Sequence, residues 1–229
     1  MKILAFVPAR SGSKSIKNKN MVKLNGRPLI YYTLNILKKI KGSAFPFVST
    51  DSKKIKNYCK KMGFKNNYLR PKNLSGDKSK IIDAIKHAIK WLNKNEKILF
   101  DSILLLQPTN PLRDLKELKT AISVFKKKNL NSLISVTEMR EHPYECIKYD
   151  KKKWSYLIKN PKIGNGRQSY AKNFYFIDGA FYLAKIDFLK KYNNFVNPSH
   201  TKLFIQKKRH PVDIDIKEDL LVSAPFLKK

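Results

Sequence analysis

The sequence predicts an α/β domain in which a parallel β-sheet carries helices on both faces. Apolar runs at Ile3–Val7, Phe45–Ser49 and Ser102–Leu106 have the length and composition of fully buried strands. Stretches with the apolar spacing of helices separate these runs. The chain has 229 residues, 42% of them hydrophobic, which is enough for one large core without disulfides or a structural metal. We therefore expect a single domain over residues 1–229.

Predicted strands and helices alternate through the first third of the chain. A helix opens at Pro28, after the first strand and a polar loop. The next helix runs from Ser52 to Met62, with Gly63 as its expected stop. A third short strand is predicted at Asn67–Leu69.

Two helices of the central region are expected to begin at capping residues. Asp77 or Ser79 is the candidate N-cap of a helix that runs to about Leu92. Asp114 is the candidate N-cap of a helix that continues through Phe125. Asp and Ser suit this position because their side-chain oxygens accept hydrogen bonds from the unpaired N–H groups of the first turn.

The alternation changes after a strand predicted at Ser132–Val136. Residues Glu138 to Tyr175 are polar and aromatic without a helical period, which predicts hairpins and loops inserted into the α/β frame. Strand character resumes at Gly179–Leu183, and a helix is predicted over Asp187–Tyr192. Val212–Ile216 alternates like a last strand.

The formal net charge of +32 creates a field that attracts polyanions. Only seven of the 49 basic residues are arginine, and the lysines are spread along the whole chain. Sites that read bases or bind phosphate in a bidentate manner favour arginine. We therefore interpret the charge as a lysine-rich solvated surface that helps to draw in an anionic substrate, and we expect no nucleic-acid partner.

Several features bear on the compartment of the protein. The first residues carry only a short apolar run, and no stretch approaches the ~18 apolar residues of a membrane span. The two cysteines, Cys59 and Cys146, form no CxxC pair and are expected to be reduced. We expect a cytoplasmic protein without membrane contact.

The polar loop from Pro8 to Asn20 is the first candidate functional segment, because parallel sheets bind ligands at the carboxyl ends of their strands. Gly12 permits a tight turn, and the small Ser11 and Ser13 let backbone N–H groups approach a ligand. Cations recur every four or five residues, at Arg10, Lys14 and Lys19. The pattern favours binding of a triphosphate. An ordinary lysine-bearing loop is the alternative.

Two other segments carry polar groups, and one of them, Gln107 to Arg113, is expected at the same edge of the sheet as the first loop and Thr50-Asp51. The segment from Leu69 to Asp83, with Arg70 and Ser79, by itself predicts only a loop before a capped helix. Gln107 ends a buried strand, and two prolines stiffen the turn that follows. Its amide can donate and accept hydrogen bonds, which suits a sugar or a pyrimidine edge. A rigid strand-ending turn explains this segment equally well.

Asp213 and Asp215 form a candidate metal site. Residues i and i+2 of a strand point the same way, so a strand at Val212–Ile216 places both carboxylates on one face. Oxygen ligands of this kind suit Mg²⁺, which also binds substrate phosphates. The alternative is that one Asp is exposed and the other caps a helix that starts near Lys217.

Taken together and in order, these motifs resemble the acylneuraminate cytidylyltransferase family, the CMP-sialic acid synthetases and their bacterial relatives. The resemblance runs from Ile3 to about Leu221 and rests on an ordered set of segments, each weak alone. The segments are Ala9–Asn20, Ser49–Asp51, Leu69–Pro71 with Ser79, Leu105–Arg113, Arg167–Gln168, Asp178–Tyr182 and Asp213–Asp215.

The resemblance implies a fold and a reaction. The family fold is a Rossmann-like, mostly parallel sheet of the nucleotide-sugar transferase type. In the reaction, the C2 hydroxyl of a nine-carbon 2-keto sugar acid attacks the α-phosphorus of CTP and gives the CMP-sugar and pyrophosphate. Family members are usually homodimers, and the segment that matches residues 138–175 crosses toward the partner and the sugar.

Site residues follow from the resemblance position by position. The residues implied to bind the nucleotide are Arg10, Ser11, Gly12, Lys14, Lys19, Asn20, Arg70, Ser79 and Gln107. Those implied to bind the sugar are Gln107, Arg167, Gln168, Asp178 and Gly179. Asp213 and Asp215 are the implied ligands of Mg²⁺. The residues implied to carry catalysis are Arg10, Lys14, Lys19, Arg167 and Asp215.

The sugar-binding segments depart from the family pattern. Asp178 replaces an Asn, Phe176 stands where relatives can carry an Arg, and Tyr144-Glu145 stands where a Lys can contact sialic acid. Fewer cations near an anionic sugar weaken the case for N-acetylneuraminate and leave legionaminic or pseudaminic acid open. The rival hypotheses are a 3-deoxy-manno-octulosonate cytidylyltransferase, a basic nucleic-acid-binding protein and a non-catalytic relative.

Overall fold

Ten strands and six α-helices make up the computed structural model, which describes residues 1–158, 174–207 and 212–227. The strands are β1 (Ile3–Pro8), β2 (Lys23–Leu24), β3 (Arg27–Pro28), β4 (Phe45–Ser49), β5 (Ser102–Leu105), β6 (Ser132–Glu138), β7 (Ile147–Asp150), β8 (Lys153–Tyr156), β9 (Tyr175–Lys185) and β10 (Thr201–Ile205). The helices are α1 (Leu29–Lys39), α2 (Lys53–Lys61), α3 (Ile81–Glu96), α4 (Leu115–Lys127), α5 (Ile186–Tyr192) and α6 (Lys217–Ser223).

Six of the strands form one sheet in the order β10-β6-β9-β5-β1-β4. β1 is parallel to both β4 and β5, and β10 is parallel to β6. β9 lies between β5 and β6 and runs antiparallel to both. The predicted mostly parallel sheet is therefore confirmed, with one antiparallel strand at its centre. The remaining strands pair as two small hairpins, β2 with β3 and β7 with β8.

Hydrophobic cores lie on both faces of this sheet, because successive side chains of a strand point to opposite sides. Ile3, Ala5 and Val7 of β1 pack in one core with residues of α1, α2 and α4. Leu4 and Phe6 pack in a second core with residues of α3 and α5. The predicted arrangement of helices on both faces is confirmed.

Two of the predicted helix boundaries are confirmed. The Asp114 carboxylate caps α4 by accepting hydrogen bonds from the N–H groups of Lys116 and Glu117. Gly63 follows α2 and has φ +89°, a left-handed conformation that a residue with a side chain rarely adopts.

The predicted capping of α3 by Asp77 or Ser79 is wrong. The helix begins at Ile81, and its N-cap residue Lys80 makes no side-chain capping bond. The Asp77 carboxylate is instead bonded to Arg10, and the Ser79 hydroxyl donates to the carbonyl of Asn73. Asp77 therefore bonds to Arg10, which is distant in sequence, and not to the N–H groups at the start of α3.

Two predicted strands are absent from the described residues, and one strand was missed. Asn67–Leu69 is a coil whose Tyr68 ring packs on Phe47, so its burial comes from aromatic packing and not from sheet pairing. Val212–Ile216 is a loop, in which the Ile214 N–H donates a backbone hydrogen bond to the carbonyl of Thr109. β10 was not predicted, because its pairing with β6 at the sheet edge is a long-range contact.

The segment between β6 and β9 carries the β7–β8 hairpin, as predicted for part of residues 138–175. Residues 159–173 of this segment lie outside the described part of the chain. Both cysteines are free, as predicted. Within the described ranges, none of the helices combines the length and apolar character that crossing a bilayer would require.

Candidate functional site

A cleft of about 370 Å³ opens at the carboxyl ends of β1 and β5. Parallel sheets commonly bind ligands at this edge. Many of the predicted site residues line the cleft, although they come from four separate parts of the chain. They are Arg10, Gly12, Lys19, Asn20, Ser79, Gln107, Asp213 and Asp215.

The loop after β1 is anchored to the neighbouring strand β4. The N–H and the hydroxyl of Ser11 both donate to the Asp51 carboxylate, at 2.8 and 2.6 Å. The Asn20 side-chain amide donates to the carbonyl of Arg10 at 2.9 Å and closes the other side of the loop. These bonds fix the loop in shape before any ligand arrives. Since Asp51 occupies both donors of Ser11, the nucleotide contact predicted for Ser11 stays a prediction.

Two of the loop cations converge on one carboxylate. Arg10 Nη1 lies 2.8 Å from Asp77 Oδ1, and Lys14 Nζ lies 3.2 Å from Asp77 Oδ2. Hydrogen bonds from Arg10 and then from Lys14 lower the pKa of Asp77. The Arg10 side chain is 35% exposed and that of Lys14 is 82% exposed, so this cluster lies at the open rim of the cleft.

Lys19 connects the loop to the acidic segment on the opposite wall. Its ammonium group donates to the carbonyl of Ile214 at 2.8 Å and to Asp215 Oδ1 at 3.0 Å. The side chain is only 11% exposed, whereas that of Asp215 is 74% exposed. Lys19 is therefore a fixed interior cation next to a solvent-facing carboxylate.

Asp213 and Asp215 both reach the cleft, although their segment is not a strand. The Ile214 N–H donates to the carbonyl of Thr109, and Asp219 accepts the N–H groups of Asp215 and Ile216. The extended backbone keeps the i, i+2 side chains on one side, as the predicted strand would have done. The alternative that one of the pair caps the following helix is not observed, because Asp219 makes those contacts.

The electrostatics of the acidic pair bear on the predicted Mg²⁺ site. Partial removal from water raises the pKa of Asp213, and the charge of Asp215 raises it further, while a hydrogen bond from Thr109 lowers it. Unfavourable negative charge of this kind is relieved by a divalent ion. Within residues 1–158, 174–207 and 212–227 there is no cluster of three or more His, Cys, Asp or Glu side chains that could hold a metal. The two carboxylates suit an ion such as Mg²⁺, which takes its remaining oxygen ligands from water and substrate phosphates.

Arg113 is a functional residue for which the sequence predicted no role. Its guanidinium is buried and donates to the carbonyls of Gln107 and Ala180 and to the hydroxyl of Thr33. Burial lowers the pKa of Arg113 to about 10, and the nearby charge of Asp178 opposes this shift. Arg113 therefore positions Gln107 at the cleft from behind. The sequence feature that could have indicated this role is the position of Arg113 at the end of the Gln107 motif, after the turn stiffened by two prolines.

Gly179 lies close to the side chains of Gln107 and Asp213. Its φ of +71° belongs to the left-handed region, and a Cβ at this position would lie 3.7 Å from Gln107 Oε1 and 3.9 Å from Asp213 Oδ2. A side chain at this position would be strained and would lie against both groups. Gly179 is thus close to two predicted ligand-binding side chains, and its predicted sugar contact remains a prediction.

Asp178 and Arg70 are buried behind the cleft and do not line it. The Asp178 carboxylate accepts from the Ser135 hydroxyl, the Ala180 N–H and the Gln206 amide. The Arg70 guanidinium donates to the hydroxyl and the carbonyl of Ser49, and burial lowers the pKa of Arg70. In the structure both side chains support the walls of the cleft. Their predicted sugar and nucleotide contacts stay predictions.

The remaining predicted sugar-binding residues cannot be placed. Arg167 and Gln168 lie outside the described residues. The described residues therefore include most of the predicted nucleotide and metal site. Of the predicted sugar-binding residues they include Gln107, Asp178 and Gly179.

Comparison with known proteins identifies relatives of this arrangement. A family model described as Cytidylyltransferase matches residues 4–195. The CMP-N,N'-diacetyllegionaminic acid synthase of Legionella pneumophila is 29% identical, and the match covers 100% of this chain and 97% of that protein. An N-acylneuraminate cytidylyltransferase of Streptococcus agalactiae is 27% identical over 96% of this chain and 52% of that protein, so the chain spans about half of its length.

The fold also has solved counterparts. The structure of a CMP:2-keto-3-deoxy-manno-octonic acid synthetase complexed with CTP superimposes with a TM-score of 0.70 at 15% identity. The match covers 99% of this chain and 100% of that chain. At this level of identity, the likeness is one of fold.

Proposed function

The chain belongs to the cytidylyltransferase family and is therefore a nucleotidyltransferase, and we propose that it joins CTP to a nonulosonic, sialic-acid-like sugar acid. The products are the CMP-sugar and pyrophosphate. The observation that carries this proposal is the convergence of Arg10, Lys19 and the Asp213/Asp215 pair in one cleft at the end of β1. A cleft with cations on one wall and carboxylates on the other suits a triphosphate with a divalent ion.

The cations of the loop after β1 stabilise the charge that develops on the leaving pyrophosphate. Arg10 and Lys14, at the rim, bind the β- and γ-phosphates, and Lys19 lies deeper, beside the acidic pair. Phosphoryl transfer needs little covalent chemistry from the protein, so positioned charge accounts for most of the catalysis. Asn20 keeps the loop in shape through its bond to the Arg10 carbonyl.

Asp213 and Asp215 would hold Mg²⁺. When bound, the ion would neutralise phosphate charge and lower the pKa of the hydroxyl that attacks. Asp219 and Thr109 hold the loop that presents the two carboxylates. Lys19 shares Asp215 and keeps that side chain oriented toward the cleft.

In the proposed complex, Gln107 contacts both substrates, CTP and the sugar acid. Ser79 lines the cleft and is assigned to the nucleotide, with Arg70 buried behind the cleft at Ser49. Gln107 lines the cleft just after β5, and its amide is assigned to both the nucleotide and the sugar. Arg167 and Gln168 complete the proposed sugar contacts.

The proposed assembly is a homodimer formed around the β7–β8 hairpin. Ile147, Tyr149 and Trp154 of the hairpin are exposed, as are Phe176 at the start of β9 and Leu203 on the edge strand β10. Several large apolar side chains exposed on neighbouring elements are typical of a protein interface. A second copy of the chain is the expected partner, and the subunit mass in solution tests this.

The decisive experiment measures pyrophosphate release with CTP, Mg²⁺ and a panel of sugar acids. The panel contains N-acetylneuraminate, legionaminic acid, pseudaminic acid and 3-deoxy-manno-octulosonate, each also assayed with UTP in place of CTP. We expect turnover with at least one nine-carbon acid and with CTP over UTP. Turnover with 3-deoxy-manno-octulosonate alone would replace the proposed sugar class. No release with any acid, together with salt-sensitive DNA binding that outcompetes CTP, would favour the nucleic-acid-binding alternative.

A further inference from the structure

The Asp77 carboxylate occupies the cations to which we assign the triphosphate. One of its oxygens contacts Arg10 at 2.8 Å and the other contacts Lys14 at 3.2 Å. Arg10 also reaches toward the carbonyl of Ser75, at 3.5 Å. A single acidic side chain, about 65 residues away in sequence, thus bridges both rim cations with two oxygens.

The two oxygens of Asp77 contact Arg10 and Lys14 in the way that two oxygens of a bound phosphate would. A carboxylate resembles a phosphate in presenting two charged oxygens to a guanidinium and an ammonium group. Asp77 also lines the same cleft as Gly12, Asn20 and Gln107. A triphosphate bound to Arg10 and Lys14 therefore competes for the positions that the Asp77 oxygens hold.

We propose that Asp77 is an internal occupant of the triphosphate site, which CTP displaces on binding and which returns as pyrophosphate leaves. This proposal rests on the proposed function. It makes Asp77 a residue that weakens binding of both CTP and pyrophosphate, and so favours product release. Arg10 and Lys14 are kept paired and oriented while the site holds no nucleotide.

The energetics allow this exchange. The Asp77 side chain is 43% exposed, and ion pairs between exposed groups contribute little to stability. A triphosphate carries several negative charges and gains contacts with Lys19 and Asn20 in addition, so it wins the competition. The displaced Asp77 carboxylate can also pair with other cations, because Asp77 lines a second pocket that is rich in lysine, the basic basin.

That basin has a volume of about 960 Å³ and lies on the other side of the loop that carries Asp77. Its lysines come from this loop and from α3 and α5, and include Lys72, Lys78, Lys80, Lys86 and Lys190. Gly76, Asp77 and Ser79 line both the basin and the cleft, and Lys14 lines the basin. A movement of this loop thus lets the Asp77 carboxylate pair with lysines of the basin while CTP occupies the cleft.

Asp51 provides an internal contrast with Asp77. It too is a carboxylate beside the basic loop, but it accepts the N–H and the hydroxyl of Ser11 and so holds the loop in shape. Removing the charge of either residue changes the field at the phosphates in the same direction. Only the removal of Asp77 also frees Arg10 and Lys14.

The test is calorimetric titration of CTP and, separately, of inorganic pyrophosphate in Mg²⁺ buffer. The proteins are the wild type, Asp77→Asn, Asp77→Glu, Asp51→Asn and Asp101→Asn. Asp101 is an exposed carboxylate paired with the N-terminal ammonium group of Met1 at 4.0 Å, away from both the cleft and the basin, and is the matched control. We expect Asp77→Asn to bind both ligands on the order of 3- to 10-fold more tightly, because the two exposed ion pairs that Asp77 makes no longer compete.

The other variants separate the competing explanations. Asp77→Glu keeps a carboxylate and is expected to stay near the wild-type affinity, Asp101→Asn to be unchanged, and Asp51→Asn to bind more weakly. Equal tightening in Asp51→Asn and Asp77→Asn would show a general charge effect and overturn the proposal, as would unchanged or weaker binding by Asp77→Asn. Wild-type binding of pyrophosphate but not CTP would overturn the proposed function alone, and the pyrophosphate affinities would still decide the role of Asp77.

Discussion

The rim of the cleft and the wall behind it use their charged residues differently. At the rim, Arg10, Lys14 and Asp77 are solvent-accessible and pair with partners that a ligand can replace. In the wall behind, Arg113 and Asp178 are buried and bonded to the protein itself. Both sets include residues of the motifs that resemble one family, so motif membership alone does not distinguish a group that binds a ligand from one that builds the wall behind it.

The difference has an energetic origin. An exposed ion pair is weak and exchangeable, because water competes for both partners. A buried charge is stable only when its hydrogen bonds are complete, and losing one partner leaves an expensive unpaired group. Substitutions at the exposed rim should therefore change activity and leave stability intact. Substitutions in the buried wall should change stability first.

The largest expected effect is on catalysis, from Asp215→Ala or Arg10→Ala. We expect each to lower the rate of pyrophosphate release by at least ~100-fold, because each removes charge stabilisation at the reacting phosphates. In Arg10→Ala the midpoint of thermal unfolding should stay within about 2 °C of the wild type, since loss of an exposed pair costs little. Asp187→Ala is the control. Near-normal turnover in both site variants would refute the site assignment.

A smaller, thermodynamic effect is expected from Arg113→Met. The carbonyls of Gln107 and Ala180 lose their donor, and the unfolding free energy should fall by about 3 kcal/mol. Urea denaturation measures this loss. Arg27→Met is the control, because Arg27 is exposed and stacks on Tyr31 at the surface. A change under about 1 kcal/mol in Arg113→Met would remove the contrast between the rim and the wall.

The smallest expected effect is a gain in stability from Asp213→Asn in Mg²⁺-free buffer. Partial burial raises the pKa of Asp213, and the charge of Asp215 raises it further, so the substitution removes an unfavourable negative charge. Because the side chain stays accessible to solvent, the gain in thermal midpoint should be only about 1–2 °C. Asp215→Asn should show less or no gain, since Asp215 is paired with Lys19. Added Mg²⁺ should stabilise the wild type more than either variant, and equal stabilisation of all three would argue against the acidic pair as its site.

Much of the frame was predictable from local pattern. The apolar runs at Ile3–Val7 and Phe45–Ser49 are strands of the six-stranded sheet, and Asp114 caps its helix. These features depend on burial and on neighbours within four residues, which the sequence displays directly. Most of the predicted nucleotide and metal residues also meet in one cleft, because parallel strands bring the loops at their carboxyl ends together.

Tertiary contacts overrode the local pattern elsewhere. Asp77 has the composition of a helix cap, but Arg10 and Lys14 bind it across the cleft. Val212–Ile216 alternates like a strand, but it pairs with no strand of the described sheet, and Ile214 bonds to Thr109 in the turn after β5. β10 pairs with β6 although its own pattern gave no signal. In each case the deciding partner is distant in sequence.

The sequence by itself determined the fold class and the family, because strand and helix periodicity and an ordered set of short motifs are properties of the chain alone. It also determined that a cationic loop and an acidic pair would lie at the same edge of the sheet. Only the tertiary structure decided which members of those motifs reach the cleft. Burial and hydrogen-bond partners assign Asp178 and Arg113 to the supporting wall, and the loop that carries Asp77 brings a competing carboxylate onto Arg10 and Lys14. Those outcomes depend on contacts between distant segments, which no local pattern encodes.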